Sequence, residues 1–170
     1  MTSLDVGEHY ALVDNPLDLA EDMAASNDWI YERENQHELI LAVEGQYCDL
    51  QVRLFWRADF ATLQTAVLMD TRVNDRKLPE IYETVSLVNE RMWLGHFEYW
   101  LNEQALIFRH ASLANDPMTG VIGADHIATL VETAINECDR FYPVFQFVLW
   151  GGKSPADAIE ATMLECVGEA

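Results

Sequence analysis

Lysine is almost missing from this 170-residue chain: only Lys77 and Lys153 occur, and with arginine the basic residues number 10 against 29 acidic ones. The formal net charge is −19 at pH 7. Phosphate binding relies on clustered Lys and Arg, so nucleic acid is not an expected partner, and anionic membrane surfaces are disfavoured for the same reason. No apolar run approaches the roughly 20 residues that a membrane-spanning helix needs. Cysteine is scarce too. Cys48, Cys138 and Cys166 show neither a CxxC pair nor a Cys/His ligand spacing, which argues against a disulfide framework and a zinc site. The opening stretch MTSLDVGEHYALVDNP has no basic start ahead of an apolar block, so no secretory signal is expected and the cytoplasm is the expected compartment. GxSxG is absent, and Gly151-Gly152-Lys153-Ser154 lacks the spacing of a phosphate loop, reading instead as a helix break and cap. No cofactor and no catalytic residue are expected.

Half of the residues are hydrophobic, enough for one domain with a continuous core. That domain is expected over 15–170, behind a flexible segment 1–14. The organising stretch runs from Leu78 to Ala111. Leu78, Ile81, Tyr82, Val85, Val88 and Met92 share one helical face, Gly95 stops the helix, and the period then falls to two. Ahead of it, Asn15-Pro16 starts a helix to about Ser26. Strands follow at about Trp29–Arg33, Leu39–Val43, Tyr47–Arg57 and Thr62–Asp70. Beyond it, strands at His96–Leu101 and Ala105–Leu113 flank a turn, and 114–123 reads as a surface loop. A helix from Ile127 is expected to kink or break at Pro143. Ser154, Pro155 and Asp157 start a last helix that ends at Gly168. Consecutive alternating strands argue for an antiparallel sheet. The fold class is α+β: about five to six strands with helices packed on them, those around Val85 and Val131 covering one face.

The segments VNERMWLGHFEYW, FRHASL and ECDRFYPVFQFVLWGGKSPADAI resemble the YbjN family of bacterial sensory transduction regulators, over roughly Asp28 to Gly168. The resemblance implies a fold similar to type III secretion chaperones, which are small, acidic, often homodimeric proteins that hold partly extended polypeptides. It carries no catalytic residues onto this chain. A protein partner, basic or amphipathic in view of the acidic charge, is the expected ligand, with a homodimer as a further implication.

Two clusters are candidate sites. A three-residue turn at 102–104 would set His96 opposite His110 with Glu98 on the same face, a set able to bind a divalent metal or to act as acid and base. A two-residue turn would abolish that pairing. The second cluster is Trp93, Phe97, Tyr99 and Trp100 with Arg109, a possible groove for an apolar side chain of a partner. Large aromatics are more often core, and rings on alternate faces of one strand cannot all be interior to the same layer. The two readings that follow are a non-catalytic protein-binding module, and a small-ligand or metal-dependent sensor or enzyme using His96 and His110.

Overall fold

A computed structural model describes residues 15–113 and 122–167, with side chains as far as Thr162. The expectations for 1–14, for most of the loop 114–123, for Gly168 and for the Cys166 thiol lie outside the described residues. Helix α1 (Pro16–Ser26) starts as its sequence dictates: the Asn15 side chain accepts a hydrogen bond from the Leu17 N–H at 3.1 Å, and proline occupies the first helical position. Four strands then run as a meander: β1 (Ile30–Asn35), β2 (Glu38–Glu44), β3 (Asp49–Arg57) and β4 (Thr62–Leu68). Helix α2 (Leu78–Asn89) separates these from the hairpin β5 (His96–Trp100) and β6 (Ala105–Leu113). The hairpin joins through β6, so the six-stranded antiparallel sheet has the order β1-β2-β3-β4-β6-β5, open at both edges.

Two further helices, α3 (Ala124–Leu149) and α4 (Pro155–Val167), complete the α+β architecture. The expected capping box forms, with Ser154 Oγ donating to Asp157 at 2.7 Å and accepting from the Asp157 N–H at 3.3 Å. Of the two expected effects of proline, a kink or a break, the break does not occur: Pro143 sits inside one continuous helix. Phe141, Val144, Phe145 and Val148 are buried on both sides of it. Packing of that order offsets the roughly 3 kcal/mol that an interior proline costs.

α2 also differs from the periodic reading. It ends at Asn89, so Met92 lies outside the helix. Its buried residues are Ile81, Thr84 and Val88, while Val85 is half-buried and Tyr82 is exposed. The helix is rotated towards α3 and α4, against which it packs as well as against β5. Gly95 does not stop the helix, which has already ended at Asn89; it takes the expected left-handed backbone, φ +69°, immediately before β5.

All four helices lie on one side of the sheet. The core cluster takes every second residue of the strands, among them Leu41, Val52, Leu54, Val67, Leu106 and Phe108. Phe97 is its aromatic centre, edge-on to Phe108, Phe141 and Phe145 with ring centroids 5.5, 5.9 and 5.3 Å away. No helix among the described residues is long and apolar enough to cross a membrane.

Candidate partner-binding face

The remaining half of each strand points away from the helices, onto a face that no described helix covers. Register sets its central rows. One reads Ile40, Arg53, Ala66, Arg109 and His96 across the strands; the next reads Gln51, Leu68, Ile107 and Glu98. Ala66 and Ile107 are fully buried although they belong to no helix-covered core. Ala66 lies between the stems of Arg53 and Arg109, and Ile107 between Leu68 and Glu98, so long side chains shield a shallow apolar floor.

Glu98 organises the β5–β6 end of this face. Its Oε1 accepts from Trp100 Nε1 at 2.6 Å and lies 3.0 Å from Arg109 Nε in an ion pair, and its Oε2 lies 3.7 Å from His96 Nε2. The i, i+2 spacing of His96, Glu98 and Trp100 puts all three on one face, and Arg109 enters as the cross-strand partner of His96. These are partly exposed groups, so the ion pair adds about 1 kcal/mol at most. Its consequence is geometric: the half-buried Trp100 indole is held in one orientation.

The sequence candidates separate accordingly. Trp100, Arg109, His96 and Glu98 converge. Phe97 is core, and Tyr99 faces the helices with its ring 6.1 Å from Tyr82, so neither can line a groove on the open face. Trp93 is 97% exposed in the turn after α2. Alternation along β5 thus prevents the five residues from forming one groove. The histidine pair fails for a related reason. The turn has four residues, Leu101 to Gln104, with Gln104 at φ 50°, and the register sets Trp100 opposite Ala105 and His96 opposite Arg109. His110 therefore points to the other side of the sheet. Among the described residues no group of three or more His, Cys, Asp or Glu is placed to hold a metal ion.

His110 instead opens with Ser112 onto a cleft of about 410 Å³ beside the first turns of α3. There Ser112 Oγ lies 2.8 Å from His126 Nε2. Burial, then the neighbouring His126 and His96, holds the His110 imidazole below its ordinary pKa. A second hollow, of about 310 Å³, lies at the far end of the open face, where Asp49, Asp70 and Glu103 line it with Arg72. Neither His126 nor this hollow was found from the sequence. The hollow had a legible signal: in an antiparallel pair the first residue of one strand sits beside the last of the next, which brings Asp49 of β3 near Asp70 after β4.

With this geometry in view, the chain can be compared with known proteins. Residues 16–147 match the model of the YbjN family, described as "Putative bacterial sensory transduction regulator". No curated protein matches the sequence. The crystal structure of YbjN from E. coli, described as "a putative transcription regulator", has a similar fold: TM-score 0.52 at 10% identity, covering 81% of this chain and 91% of that one. Identity that low speaks for the fold alone.

Proposed function

The chain belongs to the YbjN family, whose members are described as regulators, and from that premise we propose that it is a non-catalytic module that binds a polypeptide on its open sheet face, in a chaperone-like or regulatory role. The observation that carries this reading is the uncovered face itself. A sheet is stable with one wet side, but here that side holds a buried apolar floor at Ala66 and Ile107 and an indole held by Glu98. Aromatic anchors set in a polar rim are what interfaces use. Among the described residues, Cys48 and the buried Cys138 are free thiols, compatible with a reducing cytoplasmic setting. The homodimer implied by the resemblance belongs to the same proposal and is read by sedimentation.

The test is a kinetic split on a partner captured from the native cytosol. Salt raised to about 0.5 M shortens the screening length to roughly 4 Å, which should slow association several-fold and leave dissociation nearly constant. Trp100→Ala should do the reverse, speeding dissociation at nearly unchanged association. A folded Trp100→Ala chain with unchanged dissociation would refute the assignment of the face.

A further inference from the structure

Resting on that reading, we propose that the partner segment is cationic and amphipathic, seating a basic side chain in the hollow of Asp49, Asp70 and Glu103 and its apolar side chains on the half-buried Leu68 and Trp100, which flank the buried Ile107. Charge decides the first half. The centre of the face is locally balanced: Arg53 lies 3.7 Å from Glu38 and Arg109 lies 3.0 Å from Glu98. The adjoining hollow holds three carboxylates against one guanidinium, Arg72, within a chain of net charge −19. An acidic segment would meet repulsion at the hollow and from the whole field, whereas a Lys or Arg gains on both counts.

Geometry decides the second half. Leu68 lines the hollow and also belongs to the apolar row, where it neighbours Ile107. Ala105 lines the hollow too and is the cross-strand partner of Trp100. The acidic hollow and the apolar floor are therefore one continuous surface. Six strands about 4.8 Å apart span roughly 24 Å, the length of an amphipathic helix of about 16 residues, which would complete a second layer over the sheet.

The experiment uses the full chain labelled with ¹⁵N and three synthetic peptides of about 16 residues: Lys/Leu amphipathic, Glu/Leu in the same pattern, and Lys/Ser with the same charge. The Lys/Leu peptide should shift amide resonances of β3, β4 and β6, while the other two bind at least tenfold more weakly. The exposed double variant Asp70→Asn, Glu103→Gln, with an unchanged far-UV spectrum, should weaken Lys/Leu binding about tenfold. Equal binding of Lys/Ser would show charge attraction alone and overturn the proposal. Binding of Glu/Leu at the same strands would overturn the cationic partner yet keep the polypeptide-binding face. Shifts confined to the helices would overturn both. Dilution-dependent shifts of the same strands without peptide would assign the face to a second copy of the chain and overturn the proposal.

Discussion

Asn89 and Phe97 are joined by two hydrogen bonds in opposite directions: the Phe97 N–H donates to Asn89 Oδ1 at 2.8 Å, and Asn89 Nδ2 donates to the Phe97 carbonyl at 3.0 Å. The side-chain amide does for the outer edge of β5 what a further strand would do. Edge strands expose unpaired backbone groups and invite association, and a short strand closed by one amide answers both problems. Asn89→Ala should lower stability by about 1–3 kcal/mol, since it leaves two partly buried backbone groups unpaired. Denaturant titration checks the loss. Asn89→Asp should lose nearly as much, because a carboxylate cannot donate to the carbonyl.

Gly95 should tolerate no side chain. It sits at φ +69°, and an added Cβ would run into the Phe108 ring and come within 3.0 Å of the Arg109 carbonyl. Gly95→Ala combines left-handed backbone strain with displacement of a core ring and should cost about 2 kcal/mol or more, read as a fall in thermal midpoint. Gly123→Ala meets nothing within 4 Å and is the control.

Charges placed on two helices should separate. Val131 is fully buried on the inner face of α3, so Val131→Asp buries an unpaired carboxylate and should unfold the chain, a loss of about 5 kcal/mol or more. Val85 is only half-buried, and Val85→Asp should cost about 1 kcal/mol. A soluble Val131→Asp protein with the wild-type thermal midpoint would show that α3 does not cover the sheet as described.

Acid should weaken the fold through His110. Its folded pKa lies below the ordinary value, first because of burial and then because of His126 and His96. The unfolded chain therefore binds the proton more readily. The associated stability is fully present above the ordinary histidine pKa of about 6.5 and is lost as pH falls through the folded value. Denaturant midpoints measured from pH 7.5 down to about 5 should decline in the wild type and decline less in His110→Gln.

Cys138 should resist alkylation in the native state. Burial, chiefly, raises its thiol well above the ordinary range, and burial also raises Cys48 to a lesser degree. Peptide mapping after iodoacetamide should find Cys138 unmodified until denaturant is added.

Much of the architecture was determined by short-range rules that the sequence states openly. The Asn15 cap, the Ser154–Asp157 box, the alternating strands and the apolar period of α3 each depend on neighbours within a few residues, so they are legible without a fold. Tertiary structure decided the rest. α2 ends at Asn89, whose side chain turns to Phe97, a partner that period cannot reveal. Pro143 stays helical because buried residues on both sides hold it. The candidate site shows the same division. The sequence placed His96, Glu98 and Trp100 on one face by alternation, but whether Arg109 or His110 stood opposite depended on a single residue of turn length, and in a sheet one residue of slip moves a side chain to the other face. Which face the helices would cover, and so which half of the aromatic set became core, was set only when packing put α2 and α3 over Phe97 and left Trp100 outside.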